Sequence, residues 1–210
     1  MLKIWGRTSS SNVMKLLWLC EELGIPFDRV DAGGTFGRTQ EAAYLAMNPN
    51  AKVPTIEEPD GYSLWESNSI CRYLVATRSP GHAMLPDDPR ARGKVERWMD
   101  WQLGHLNPPM TTLFIGLVRT PEAQRDPAAI AAARGEAEGL WAMVDAELLT
   151  NGNRFVCGEA LSLADVALGP YLHRWLNLPI PRRPMLALEE WHARLCERPG
   201  YMRHIAVPLA

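Results

Sequence analysis

Apolar and polar positions follow two different patterns along the chain, and the change falls near residue 80. The first 78 residues mix short apolar runs, typical of strands, with segments of helical spacing. The run LKIW at residues 2–5 predicts a strand. The segment SNVMKLLWLCEELG after it predicts a helix with one buried face, ended by Gly24 and Pro26. The buried positions expected on that face are Val13, Leu16, Leu17, Cys20 and Leu23.

A β-hairpin followed by a helix is predicted between residues 53 and 78. The runs VPTIEE and YSLW flank Pro59-Asp60-Gly61, in which proline presets φ and glycine supplies the left-handed residue of a turn. The segment ESNSICRYLVATR then returns to helical spacing. A weaker strand in PFDRV and a short helix in QEAAYLAMNP complete an α/β domain with a four-stranded mixed sheet.

Strand signals end after the proline-rich segment SPGHAMLPDDP at residues 79–89, which predicts a linker. Long helices are predicted beyond it, at about residues 90–118, 127–149, 163–175 and 186–196. The sequence therefore predicts two domains, an α/β domain at residues 1–78 and an all-helical domain at residues 90–210.

Composition excludes several classes of function. The 210 residues are 47% apolar and 22% charged, as in an ordinary globular protein. A net charge of −2 without any basic run argues against nucleic-acid binding and against binding to anionic membranes. No apolar stretch suits a bilayer and MLKIWGR is not a signal peptide, so a cytoplasmic location is expected. The four scattered cysteines have no metal-ligand spacing, so we expect reduced thiols and no metal site.

The start of the hairpin and its exit together suggest a peptide-like ligand. Pro54 could be an ordinary edge-strand proline. If the Val53–Pro54 bond is cis, however, the Val53 amide and carbonyl turn outward and can pair with an extended peptide. Ser67 either caps its helix or donates its hydroxyl and amide to a carboxylate. Glu66 is either a solvated charge or a partner for an amine. The γ-glutamyl end of glutathione carries both an amine and a carboxylate.

Three segments, which follow one another along the chain in the family's order, resemble the cytosolic glutathione S-transferase superfamily, and most closely its bacterial, serine-type, theta-like members. NPNAKVPTIEE…LWESNSICRYL is similar to the glutathione-binding segment, SSSNVMKLLWLCEELGIPF to the first helix, and GEALSLADVAL to the capping motif of the C-terminal domain. The resemblance covers essentially the whole chain. It implies a thioredoxin-like N-terminal domain, an all-helical C-terminal domain, a cis Val53–Pro54 bond, glutathione as co-substrate, and a homodimer.

Under this resemblance, one polar side chain at the start of the first helix activates the glutathione thiol. Lowering the thiol pKa by about two units takes roughly 2.7 kcal/mol. A helix N-terminus and one charged hydrogen bond can supply this free energy. Ser10 falls where serine-type members carry their activating serine, and Asn12 is the alternative. Ser9 and Ser11 are close enough to leave the choice open, and the remaining hydroxyls are expected to cap the helix.

Two departures from the family pattern bear on the chemistry. Trp5 stands where several classes carry a catalytic tyrosine, and no cysteine lies near Ser10. Thiol-transferase chemistry is therefore disfavoured. Lys52 and Arg38 are candidates for binding the glycine carboxylate of glutathione, although each could simply be solvated. Ser162 and Asp165, flanked by Leu161 and Val166, predict a capping box with a hydrophobic staple, which is a structural motif.

The second substrate is expected between the domains, against aromatic and apolar side chains. Most residues with such spacing are core residues, and a lone histidine such as His105 is more often structural than catalytic. The candidates are Trp98, Trp101, His105, Asn107, Pro108, Met110 and Trp175.

The expected function is that of a glutathione transferase, a detoxification enzyme that adds the glutathione thiolate to a small hydrophobic electrophile. One alternative is a glutathione-dependent peroxidase or isomerase. Another is a non-catalytic protein of the same fold that binds glutathione or another ligand. The sequence does not identify the electrophile.

Overall fold

The first 78 residues form a four-stranded mixed sheet with three helices. The computed structural model describes residues 1–209. Strand β1 (Leu2–Trp5) pairs parallel with β2 (Phe27–Val30) and antiparallel with β3 (Thr55–Glu57), and β3 pairs antiparallel with β4 (Ser63–Trp65). The strand order is β2-β1-β3-β4. Helices α1 (Ser11–Glu22), α2 (Ala42–Met47) and α3 (Ser67–Arg78) complete this part. The predicted mixed sheet and its hairpin are confirmed.

The sheet is small, and its centre is apolar. Ile4 of β1 lies opposite Ile56 of β3, and Ile56 lies opposite Leu64 of β4. Both isoleucines are fully buried, whereas Lys3, which points to the other face of β1, is exposed. At the hairpin turn, Gly61 has a φ of 89°, the left-handed value that the turn requires.

The second part of the structure contains only helices. They are α4 (Pro89–Trp101), α5 (Asn107–Phe114), α6 (Pro127–Asn151), α7 (Leu163–Asn177), α8 (Leu186–Cys196) and α9 (Pro199–His204). A π-helical turn, Gln102–Leu106, joins α4 and α5 into one continuous rod, and a second π-helical turn, Ile115–Arg119, extends it beyond α5. Pro108 and Pro109 have no amide hydrogen, so the α-helical hydrogen-bond ladder cannot continue regularly through this region. The predicted all-helical part is confirmed.

Helix α1 is buried almost all round, and not only along the predicted face. Leu16 and Cys20 are fully buried as expected, but so are Trp18 and Leu19. Helices α7 and α9 both pack against α1 and cover its other side. A Cβ at Gly169 of α7 would lie 2.8 Å from the Trp18 ring, so only glycine permits this close approach.

The predicted capping box at the start of α7 is present. Ser162 is the N-cap residue, and its amide donates to the carboxylate of Asp165. Leu161 and Val166, the residues of the predicted staple, are both buried. No helix within residues 1–209 has the length and apolar character needed to cross a membrane.

Candidate active site

The bond between Val53 and Pro54 is cis, as the resemblance implies. The Val53 amide and carbonyl take part in none of the loop hydrogen bonds within residues 1–209. Lys52, the residue before Val53, is fixed in place, because its carbonyl accepts from the Tyr44 hydroxyl at 2.6 Å and from Asn48 Nδ2 at 2.8 Å. A fixed loop therefore presents a backbone donor and acceptor to a ligand.

Glu66 and Ser67 lie at the start of α3, beyond the hairpin. Glu66 is the N-cap residue and has a φ of 72°, a left-handed value that non-glycine residues rarely adopt and that often accompanies binding sites. Ser67 is the first helical residue, and only 5% of its surface is exposed. Because Glu66 holds the cap position, the alternative in which Ser67 is a simple cap is wrong.

A buried lysine lies against Ser67, and the sequence analysis did not single it out. Lys15 of α1 has no exposed surface. Its Nζ donates to Gln102 Oε1 at 2.6 Å and Asn68 Oδ1 at 3.0 Å, and lies 3.5 Å from Ser67 Oγ. The available signal was a charged residue inside the apolar run VMKLLWLC.

No carboxylate pairs with Lys15 in the part of the chain that the structure describes. Burial therefore lowers its pKa to about 7, although Cys71 and Glu66 act in the opposite direction. Gln102 belongs to the rod of α4 and α5, so the hydrogen bond from Lys15 also links the sheet-containing part to the helical part. A ligand carboxylate at Ser67 would supply the missing negative charge.

The hydroxyl groups before α1 have different surroundings. Ser10 is the N-cap residue, but its side chain forms no capping hydrogen bond and has no partner within residues 1–209. Ser11 is the first helical residue, and its Oγ accepts from Arg174 Nη1 at 3.2 Å. The expectation that the other hydroxyls cap α1 is wrong, because Ser10 itself holds the cap position. The Ser10 hydroxyl is therefore available to a ligand.

Asn12, the alternative to Ser10, is half-buried in the first turn of α1. Its Oδ1 lies 3.4 Å from the Tyr171 hydroxyl, which makes a shorter hydrogen bond of 2.8 Å to Asn107 Oδ1. The Asn12 oxygen thus has only a weak contact. The structure brings Ser10 and Asn12 to the same helix start.

Arg174 of α7 holds residues 7–10 before α1, called the serine loop below, and no local sequence pattern marked this role. Its Nη2 donates to the carbonyl of Ser9 at 2.9 Å, and its Nη1 donates to Ser11 Oγ. The guanidinium group lies 3.8 Å from the centre of the Phe114 ring. The residues on both sides of Ser10 are therefore fixed by a single buried side chain.

Three other residues considered from the sequence lie as follows. Lys52 and Arg38 are exposed, and neither side chain has a hydrogen-bond partner in the described chain. Lys52 immediately precedes Val53. Trp5, in the position of the tyrosine of other classes, donates from Nε1 to Glu57 Oε2 at 3.2 Å and is thus bound to the sheet.

The aromatic wall expected for the second substrate does not form beside Ser10. Trp98 and Trp101 contact each other edge to face at 5.0 Å and line a groove with Met143 of α6. Trp175 is buried in the core, and His105 is exposed. These side chains point toward other helices or solvent, and helical spacing alone could not show their direction.

A cavity of about 100 Å³ lies beside the serine loop instead. Its wall combines residues from both parts of the structure with the segment 205–209 near the C-terminus. The wall includes Thr8, Ser9, Met14, Phe114, Pro170 and Arg174.

Other nucleophiles and metal ligands are poorly placed. Cys20 is buried in α1, and burial raises its pKa to about 12, so it is not a ready nucleophile. No cluster of three or more histidine, cysteine, aspartate or glutamate side chains within residues 1–209 could hold a metal ion.

Comparison with known proteins identifies the family. Residues 1–76 match the glutathione S-transferase N-terminal domain, and residues 127–205 match the glutathione S-transferase C-terminal domain. The chain is 36% identical over 211 residues to glutathione S-transferase GstB of Escherichia coli, covering 100% of both proteins. A theta-class glutathione S-transferase of Xanthomonas axonopodis pv. citri, solved with glutathione bound, is 41% identical. Its TM-score is 0.94, with 100% of this chain and 99% of that chain covered. The chain belongs to the glutathione S-transferase family of enzymes.

Proposed function

We propose that the protein binds glutathione, ionises its thiol beside Ser10, and adds the thiolate to a small hydrophobic electrophile. The free Ser10 hydroxyl at the start of α1 is the observation that carries this proposal. One hydrogen bond to a charged group contributes about 1.5–3 kcal/mol. The helix N-terminus adds about 0.3–2 kcal/mol. Their sum covers the roughly 2.7 kcal/mol needed to lower the thiol pKa by two units.

The contacts proposed for glutathione follow from the site. The γ-glutamyl carboxylate accepts from the hydroxyl and amide of Ser67, and Glu66 binds the γ-glutamyl amine. The Val53 backbone pairs with the cysteine residue of glutathione, and Lys52 or Arg38 binds its glycine carboxylate. Residues 1–78 would then form the glutathione-binding domain, joined by the linker at 79–89 to the helical domain. The Xanthomonas relative with glutathione bound supports glutathione as the ligand.

The cavity beside the serine loop is the proposed place for the electrophile. Met14, Phe114 and Pro170 give it an apolar lining, which suits a hydrophobic second substrate. This cavity replaces the predicted wall of Trp98 and Trp101. We also propose a homodimer, as is usual in the family, because Trp65 and Leu103 leave apolar surface that a second copy could cover.

Titration of the wild-type complex tests the proposed function. The thiolate of bound glutathione, followed by its ultraviolet absorbance, should appear with a pKa about two units below that of the free thiol. The same protein should conjugate chlorodinitrobenzene near neutral pH. A bound thiol that titrates like free glutathione, together with no conjugation, would contradict the catalytic proposal. The protein would then only bind glutathione.

The affinity for S-methylglutathione, which has no ionisable thiol, should depend on pH through Lys15. Below a pH of about 7 Lys15 is charged and complements the γ-glutamyl carboxylate. The bound carboxylate raises the Lys15 pKa further. Above pH 7 binding must therefore take up a proton, and affinity should fall by up to about tenfold per pH unit. Calorimetry between about pH 6 and pH 8 measures this slope.

Two variants distinguish the contribution of Lys15 to glutathione binding from that of Ser67. Lys15→Met should bind more weakly at low pH and lose the slope. Ser67→Ala should lose about 1–3 kcal/mol of binding free energy at every pH and keep the slope. A slope that persists in Lys15→Met contradicts the role of Lys15, and unchanged affinity in Ser67→Ala contradicts the placement of the carboxylate.

A further inference from the structure

Three arginines without any carboxylate partner lie in or near the serine loop. Arg7 begins the loop, Arg119 ends the π-helical turn after α5, and Arg174 lies on α7. The guanidinium carbons of Arg119 and Arg174 lie 4.9 Å and 3.8 Å from the centre of the same Phe114 ring. None of the three arginines forms an ion pair within residues 1–209.

Only one of the three has its donors engaged. Arg174 is buried and donates to Ser9 and Ser11. Arg7 packs along Gly34, where a Cβ would lie 3.2 Å from Arg7 Cδ, but its guanidinium has no acceptor in the described chain. Arg119 is exposed and likewise has no acceptor there. The guanidinium groups of Arg7 and Arg119 therefore remain without an acceptor. Arg7 precedes Thr8 in the chain and Arg119 lies over the Phe114 ring, and both Thr8 and Phe114 line the cavity.

The three charges repel one another. Burial, followed by the charge of Arg119, lowers the pKa of Arg7. Burial lowers the pKa of Arg174 to about 10, with Tyr171 opposing this and with Arg119 and Arg7 adding to it. Like charges that gather without a counter-ion favour the binding of an anion. In the proposed complex, glutathione does not neutralise all three arginine charges, because its two carboxylates bind at Ser67 and at Lys52 or Arg38.

We propose that the electrophile carries a carboxylate, which Arg7 and Arg119 bind while Arg174 holds the serine loop. This inference rests on the proposed function. The planar fork of arginine matches a carboxylate and orients the substrate as well as binding it. With a chloroarene, the thiolate sulfur forms a bond to the ring carbon, and the carbon–chlorine bond breaks. Chloride leaves with the electron pair. The thiol proton has already passed to solvent, and the carboxylate is unchanged.

A matched pair of probes tests the proposal. Chlorodinitrobenzoate and chlorodinitrobenzamide have nearly the same shape and react by the same substitution, but only the first carries a charge. After division by the uncatalysed rate constants, kcat/KM for the benzoate should exceed that for the benzamide about tenfold or more. This ratio should fall toward one in Arg7→Gln and in Arg119→Gln, and it should fall with added salt.

Arg90→Gln is the control, because Arg90 is also exposed and without an ion pair but lies at the start of α4. Its ratio should equal that of the wild type. The pKa of bound glutathione is measured in each variant, since a raised thiol pKa slows both probes equally and leaves the ratio unchanged.

Several outcomes would overturn the proposal. A wild-type ratio of one or less, with the benzamide conjugated, rejects the carboxylate and leaves the proposed function intact. An unchanged ratio in both arginine variants, with a raised KM for glutathione, assigns the arginines to glutathione instead. If neither probe is conjugated although the bound thiol is ionised, only this inference is rejected. If neither probe is conjugated and the bound thiol is not ionised, the proposed function is rejected as well.

Discussion

Replacing Ser10 with alanine should raise the pKa of the glutathione thiol in the complex by about one to two units. The change removes the unpartnered hydroxyl of the N-cap residue of α1 and leaves the loop contacts of Arg174 in place. Glutathione affinity should be nearly intact, because the proposed contacts of Val53 and Ser67 lie elsewhere. Conjugation of chlorodinitrobenzene near neutral pH should fall about ten- to hundredfold, and it should partly recover at higher pH as the thiol ionises unaided.

Parallel titrations of several variants decide which residue contacts the sulfur. Ultraviolet absorbance of the bound thiolate is followed in the wild type, Ser10→Ala, Asn12→Ala and Ser11→Ala. Ser11→Ala is the matched control, because that hydroxyl faces Arg174 and should not reach the sulfur. A pKa that moves only in Asn12→Ala transfers the role to Asn12. A pKa that moves only in Ser11→Ala means that the loop rearranges when glutathione binds.

The second large effect is expected on stability: Asp165→Ala should destabilise the protein by about 3 kcal/mol or more. The carboxylate of Asp165 is fully buried and accepts four hydrogen bonds. They come from the amide and hydroxyl of Ser162, the amide of Val156 and Nε1 of Trp191. Alanine would leave these donors without a partner in the interior, so the effect should exceed that of an exposed helix cap, about 0.5–2 kcal/mol.

Denaturation by urea, and the melting temperature, measure this loss. For a chain of this length, the melting temperature should fall by roughly 6–12 °C. Ser162→Ala removes only one of the four hydrogen bonds and should cost about 1 kcal/mol. Glutathione affinity should be unchanged in the folded Asp165→Ala protein, because the motif lies outside the proposed site. Normal stability combined with a large loss of affinity would show that the motif serves binding instead.

Local patterns were enough to predict most of the fold. The turn chemistry of Pro59-Asp60-Gly61 predicts a hairpin, and the hairpin is present between β3 and β4. The capping box at Ser162 and Asp165 is present as well. These signals act over a few residues, where the backbone preferences of proline and glycine and short polar side chains decide the conformation. The resemblance to the family added the cis bond at Val53–Pro54.

The sequence could not show how helix faces pair. Spacing correctly marked Leu16 and Cys20 as buried, but it could not show that α7 and α9 cover the opposite side of α1. For the same reason it placed Trp98 and Trp101 at the second-substrate site, whereas they line a separate groove with α6. The helical period gives the angular positions of side chains around one helix. It does not show which other helix packs against each face.

By itself, the sequence determined the order of strands and helices, the position of the cis proline segment, and the polar start of α1 that carries Ser10. Only the tertiary structure decided what surrounds that start. Arg174 contacts Ser9 across 165 positions of the chain, and Lys15 contacts Gln102 across 87. The burial of both cations follows from packing between the sheet-containing and helical parts. Burial of a charge has no local signature, because it depends on how much water distant segments exclude.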